Sequence, residues 1–503
     1  MGAANEKGTV DVQMTKVSSN EDHTNADLDA GAKYLMEHSE HADYTEQEAQ
    51  RVLRKIDWIL MPVMTLATTI GAADKIVISN AAAYGMKEGL NLVGNQYSWI
   101  GSIFYFGYLI MELPANMILL KLPVGKAFFI SYLAWNIVLM CMGAANNFAQ
   151  MGALRFLLGM GEAFLSPTCA VIIAMFYKKS EQPFRTAICF SGFSSLITGI
   201  LSYAVGHAST KIDNWRLLFI VFGCLTILVT TCIFFVIPDS PMTCSWLNER
   251  QRYIAIDRTM ENRTGIQNRK LKQYQFMEAI KDWKTWIIGV FALCNNISNG
   301  ALVTFAAQIV TGLGYSPLNT TLLGMPTGLF MTGSSCIIAL PSYFYPKKYR
   351  TISAFIICLV PLICCILMMK LNEKTGLLIS YYFFYFYWGP YVCMISLSFA
   401  NTAGQSKKTV VNAVNFTSYC ISNIIAPQFF IASQAPSYPT GYNAILGFTS
   451  GSLLCIAIYG VGCILENKRR DKEYGSAEAN VDPDLDALDL TDKEKERWFR
   501  YVW

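Results

Sequence analysis

The sequence predicts an all-α polytopic membrane protein with twelve transmembrane helices in two similar six-helix halves. Three observations carry this. The 503 residues are 53% hydrophobic and only 15% charged, where a soluble domain carries about a quarter charged residues. The apolar residues fall in runs of about 20, the length that crosses a bilayer. One long polar stretch, 238–284, divides these runs six and six.

Taken in order, residues 1–57 form a tail rich in Asp, Glu, Asn and Ser, expected to be cytoplasmic and mostly disordered. Its last part, TEQEAQRVLRKIDW, has helical spacing and reads as a surface helix or as the solvated start of the first span. The first apolar run begins near Trp58, beyond signal-peptide range. The N-terminal half, 58–237, has spans starting near Ile59, Tyr97, Ala127, Met151, Ala187 and Leu217. The linker, 238–284, contains NERQRYIAIDRTMENRTGIQNRKLKQ. The C-terminal half, 285–466, has spans starting near Trp286, Leu318, Ile352, Gly376, Val410 and Tyr442, and a tail over 467–503 follows.

Sidedness follows from Lys and Arg in the short loops. One set of alternating loops holds Lys121, Lys126, Lys178, Lys179, Arg185, Lys347, Lys348, Arg350, Lys407 and Lys408, and the linker and the Lys468-Arg469-Arg470 cluster join it. The opposite loops hold little beyond Lys87, Lys211, Lys370 and Lys374. Both termini and the linker are therefore expected in the cytoplasm.

Composition also excludes. A net charge of +4, with the charges outside the apolar runs, gives no reason for nucleic-acid binding. Most of the 15 Cys lie in those runs, without CxxC spacing or a Cys/His cluster, so neither a disulfide framework nor a metal centre is expected. Three of the 4 His (His23, His38 and His41) are in the tail, leaving His207. No triad-like grouping or phosphate loop suggests an enzyme, and no cofactor is expected.

An ionisable group in the bilayer core is a functional hypothesis by default. Asp74 and Lys75 interrupt the first span, Glu112 the second, and Arg155 and Glu162 the fourth. Asp74 lies about 20 Å along its helix and Glu162 about 16 Å along a helix running the other way, so the two acids reach similar depths. Arg155 and Glu162 are seven apart and share a face. A carboxylate in a watery cavity can take a proton on one side and release it on the other. A neighbouring cation can support the ionised acid or bind an anionic substrate, which couples the two. The competing reading is an ion-pair network that only ties helices together. Glu112, followed by Pro114, better fits packing or gating.

Weaker signals remain. Gly192, Gly199 and Gly206 recur every seven residues, a face suited to close helix packing. Trp388, in the aromatic tenth span, either lines a cavity or packs. Asn295, Asn296, Asn412 and Asn415 either bridge helices or bind substrate.

Several motifs together resemble a known family. They are Asp74-Lys75 with Asn80-Ala81, Gly94-Asn95-Gln96-Tyr97, Gly107-Tyr108 with Glu112-Leu113-Pro114-Ala115-Asn116, and Arg155-Phe-Leu-Leu-Gly159-Met-Gly-Glu162-Ala163. Further on come Trp215-Arg216, Pro238-Asp239-Ser240-Pro241, Asn423-Ile-Ile-Ala-Pro427-Gln428 and a terminal Thr491-Asp492…Phe499-Arg500-Tyr501. In this order they resemble the allantoate permease-like fungal branch of the anion:cation symporters, in the major facilitator superfamily, over nearly the whole membrane region. The resemblance implies the major facilitator fold and proton-coupled uptake of a small organic anion such as a ureide, vitamin or related acid. It implies proton coupling at Asp74 and Glu162, substrate attraction by Lys75 and Arg155, and a cavity lined also by Tyr108, Trp388 and Asn415. Two departures stand out. Lys75 occupies a place where Arg is common, and the usual charged loop after the second span is degenerate here as Leu120-Lys-Leu-Pro-Val-Gly-Lys126.

The expected partners are thus a small organic anion, protons and the lipid bilayer, with the chain a monomer and the plasma membrane the default location. The rival reading is a transporter-like nutrient sensor that binds without accumulating its ligand.

Overall fold

The computed structural model describes residues 30–41, 43–119, 121–178, 180–190, 192–260, 272–345, 348–477 and 490–503. Ten helices in it are long and apolar enough to cross a membrane. The two remaining spans are marked by composition. The tenth runs Lys374–Phe384, through a 3-10 turn at Tyr385–Tyr387, to Trp388–Ala400. The eleventh, Gln405–Ile425, is diluted by Asn412, Asn415, Ser418, Ser422 and Asn423. Helices are the form this sequence must take in lipid, because each satisfies its own backbone polar groups.

The halves repeat one packing scheme. In the first half, spans 1 and 5, 1 and 6, 2 and 4, and 3 and 6 pack together. Adding six to each number gives the packed pairs of the second half: 7 and 11, 7 and 12, 8 and 10, and 9 and 12. Between halves, span 1 meets 7, span 2 meets 11 and span 5 meets 8. The twelve helices form the two six-helix halves expected from the sequence.

Glycine sets the closest approaches. A Cβ on Gly107 in span 2 would lie 2.1 Å from the Phe156 carbonyl oxygen, and one on Gly159 in span 4 would lie 2.0 Å from that of Phe104. Only hydrogen fits at both places, so the two backbones touch and the Arg155–Glu162 face is pressed against Phe104 and Tyr108. The Gly192, Gly199, Gly206 face packs against span 8, where Gly192 meets Gly328 and Gly199 meets Met325.

Among the described residues, five hydrogen bonds join the halves toward the face away from the termini. Lys87 donates to Gln308, Tyr97 to the Thr304 carbonyl, Ser102 to the Ile424 carbonyl and Gln428 to Ser102, while Ser79 accepts from the Ala307 N–H. At the termini face each half is instead tied to itself. Arg185 forks onto Asp57 at 2.8 Å, and linker residues Arg258, Arg250 and Asp257 bind Glu181, Glu48 and Tyr44. The face away from the termini is the one these bonds between halves close.

The described parts of both tails are helical or fold back onto the protein. Residues 1–29 of the expected disordered segment lie outside the described residues. From there, Ala30–Glu37 and Ser39–His41 are helical, and the helix of the first span already begins at Glu46. A capping box explains that start, with the Thr45 hydroxyl accepting from the Glu48 N–H and the Glu48 carboxylate from the Thr45 N–H. TEQEAQRVLRKIDW is thus the beginning of span 1. At the other end, span 12 continues to Tyr474, and 490–503 folds back onto the second half. There Asp492, fully buried, accepts from Lys284 at 2.7 Å and Lys407 at 2.6 Å, and Tyr501 donates to it at 2.6 Å. Arg470 donates to the Asp492 and Phe499 carbonyls and to the Tyr501 hydroxyl. Burial alone would raise the Asp492 carboxyl, but the ammonium groups of Lys284 and Lys407 outweigh it and hold the group well below the usual carboxylate range.

Candidate functional site

Span 1 carries Asp74 and Lys75 on successive residues, about 100° apart around the helix axis, so they face different neighbours. Lys75 Nζ lies 2.6 Å from Glu162 Oε1. It also sits 5.3 Å from the Tyr108 ring centre and 5.9 Å from that of Phe104. Asp74 is 1% exposed, and neither of its carboxyl oxygens has a hydrogen-bond partner. It lies within electrostatic reach of Glu162 and Arg155. The first and fourth spans thus hold two acids and two cations around one buried point.

Arg155 is 2% exposed. Its guanidinium lies 5.2 Å from the Phe104 ring, and Nε donates to the Ile100 carbonyl at 3.4 Å. Nη1 has no partner, and neither has Glu162 Oε2. An unpaired buried donor on a guanidinium is costly, more so than a neutral orphan. This cluster is therefore incomplete as a structural network: donor and acceptor capacity is left over at its centre.

Aromatic side chains join the cluster to the other half. Tyr108 stacks on Phe104 at 6.0 Å and meets Phe416 of span 11 at 5.2 Å. Tyr105 meets Tyr419 edge-on at 6.0 Å, Tyr419 stacks on Tyr391 at 6.2 Å, and Trp388 lies 5.2 Å from Tyr391. Trp388 is therefore separated from the charged residues by a chain of intervening rings. Asn415 is buried on the same face of span 11, with its side-chain oxygen unpartnered. Glu112 stands apart from the charged cluster, half-buried, and Asn412 is exposed.

Sequence reasoning singled out Asn295 as a candidate helix bridge, which it is, but missed the network built around Asn299. Tyr387 donates to Asn299 Oδ1 at 2.8 Å, Asn299 Nδ2 donates to Asn423 Oδ1 at 2.8 Å, and Asn423 donates to the Tyr419 carbonyl at 2.7 Å. Asn295 bridges span 7 to the Tyr387 carbonyl of span 10. The signal was present as spacing: Asn295 and Asn299, and Asn415, Tyr419 and Asn423, recur every four residues and so share helix faces.

Among the described residues no group of His, Cys, Asp and Glu has the makings of a metal site.

Comparison with known proteins agrees with this architecture. The family model described as Major Facilitator Superfamily matches residues 64–427. The chain is 33% identical to the MFS-type transporter cnsL of Penicillium expansum over 477 residues, 93% of this chain and 92% of that protein. It is 33% identical to the allantoate permease of Saccharomyces cerevisiae over 489 residues, covering 94% and 90% of the two chains. A solved bacterial homolog of the human lysosomal transporter Spinster, inward-facing and unoccupied, superposes with TM-score 0.63 at 15% identity, covering 83% of this chain and 97% of that one. A D-xylose-proton symporter superposes with TM-score 0.61 at 13% identity, covering 80% and 97%. The chain is a membrane transporter of the major facilitator superfamily, in its fungal allantoate permease-like branch.

Proposed function

We propose that this transporter moves a small organic anion together with protons, by alternating access, with its termini in the cytoplasm and the plasma membrane as its home. The observation that carries this reading is the buried group of Asp74, Lys75, Arg155 and Glu162, paired only in part. A substrate carboxylate satisfies the free Arg155 donor and competes with Glu162 for Lys75. Once Lys75 turns to the substrate, Glu162 loses its counter-ion and is better accommodated protonated. Anion binding and proton uptake then favour one another, which is the linkage a symporter needs.

Asp74 supports the same reading. An ionised carboxylate with no partner in a low-dielectric site is expensive, so the arrangement seen suits the neutral acid. Tyr108 lies beside Lys75, and in this reading Trp388 and Asn415, farther off, meet the rest of the substrate with a ring and an amide oxygen. The Lys- and Arg-rich loops share the termini face, which supports a cytoplasmic assignment. The name of the Saccharomyces relative, an allantoate permease, points to the carboxylate class.

The test is uptake of radiolabelled small carboxylates, allantoate first, in cells stripped of endogenous carriers, in acidic and neutral medium. The parent should accumulate cargo more strongly in acid. Glu162→Gln should lose that pH-driven accumulation and retain counterflow exchange. Equal acid-driven accumulation in mutant and parent removes Glu162 from the proton role. Binding without accumulation in the parent overturns transport as the function.

A further inference from the structure

The closed face contains a cation that the central site does not use. Lys87 lies just beyond span 1, half-buried at the seam between the halves. Its ammonium donates to Gln308 Oε1 of span 7 at 2.6 Å and sits 4.6 Å from the ring centre of Tyr97. A neutral amide oxygen and an aromatic face hold it, where a carboxylate would be the stronger partner. The two holders belong to different halves. Tyr97, from span 2, moves with Lys87; Gln308 stays with the opposite half.

The Gln308 side is weakly fixed. Its Oε1 also accepts from Tyr438 at 3.3 Å, but its Nε2 is buried with no partner. The amide is turned so that its oxygen faces Lys87, at the cost of an unsatisfied donor. Just inside lie the Tyr97 bond to the Thr304 carbonyl and the close approach of Gly101 to Thr304, where a Cβ would come within 2.8 Å of the hydroxyl oxygen. This part of the seam must separate if the central site is to open toward that face.

We propose that Lys87 is the anion-receiving residue of the outer gate. With the gate closed, Gln308 caps its ammonium. As the halves part, Gln308 withdraws, Tyr97 keeps the ammonium at the mouth, and an incoming carboxylate takes the place of the amide oxygen on its way toward Arg155. The stronger acceptor thereby stabilises the open gate. This rests on the anion reading above, adding a receiving residue outside the central site.

The test needs no cargo. Gln308→Cys is reacted on intact cells with two membrane-impermeant methanethiosulfonates, one bearing a sulfonate and one a trimethylammonium, and labelling above that of the parent is measured. With Lys87 present, the sulfonate reagent is favoured. Lys87→Gln should slow the sulfonate reagent by about fivefold and speed the trimethylammonium reagent by about as much, a fall of about 25-fold in their ratio, the effect expected from removing one charge about 4 Å away in water, and Lys87→Arg should preserve it. An unchanged ratio in Lys87→Gln overturns the inference. So does a thiol at 308 that neither reagent reaches, since the seam then does not open to the outside. Either failure leaves the reading of the central site to its own uptake experiment.

Discussion

The two halves share a packing scheme and differ in chemistry. The first half holds the mid-span charges: Asp74, Lys75, Arg155 and Glu162. The second half, among the described residues, answers with amides and rings, namely Asn295, Asn299, Asn415, Asn423, Tyr387, Tyr391 and Tyr419. Its buried charges, Asp282, Lys284, Lys407, Arg470, Asp492 and Lys495, gather at the termini face. The two central networks also differ in completeness. The Asn299–Asn423–Tyr387 network is largely closed on itself, while the charged cluster leaves Arg155 Nη1, both Asp74 oxygens and Glu162 Oε2 without partners. The lesson is a division of labour on a symmetric scaffold. One half carries the groups whose charge can change or be neutralised, and the other offers a stable polar surface.

The largest effect should come from the geometry that seats the charged half. Gly159→Val forces side-chain carbons into the Phe104 carbonyl, and overpacking of that kind costs about 1–3 kcal/mol or more. Loss of the monodisperse detergent-solubilised protein in size-exclusion chromatography is the expected result; a normally folded variant would show that spans 2 and 4 can separate freely.

Next comes Arg155→Ala. Removing a charged hydrogen bond of about 1.5–3 kcal/mol should raise the apparent substrate constant on the order of 10- to 100-fold in the uptake assay. Unchanged affinity would break the assignment of anion recognition to the first half.

A smaller change is expected on the opposite side. Asn299→Ala removes neutral hydrogen bonds worth about 1 kcal/mol each. It should raise the substrate constant several-fold while leaving the pH dependence of uptake in place. A shift of the pH profile as large as that of Glu162→Gln would erase the contrast between the halves.

The termini face sharpens the comparison in pH. Asp492 is held low by Lys284 and Lys407 against burial, so its contribution is fully present above the ordinary carboxylate value of about 3.9. It is lost only as pH falls through the depressed native value. The thermal midpoint of purified protein should therefore show no loss from this group between pH 5 and 8. Asp492→Asn should lower that midpoint throughout the window, since breaking a buried pair costs about 3–5 kcal/mol. An equal midpoint in the two proteins would mean that 490–503 does not brace the second half.

Much of this protein was decided locally. Apolar run length, loop charge and the long linker are properties of contiguous residues, so twelve helices in two halves could be read before any contact was known. The mid-span ions were legible for the same reason: a charge in an apolar run is costly wherever the helix packs. What the ions pair with is a different matter. Asp74 and Lys75 are adjacent and Arg155 and Glu162 share a face, yet the close pair is Lys75 with Glu162, and Asp74 has none. The amide network, the Lys87–Gln308 hydrogen bond and the return of the terminal segment onto Lys284 and Lys407 likewise join residues far apart in the chain. Such partners depend on how helix faces are rotated and how closely glycines let them approach, and that is set only when all twelve helices pack at once.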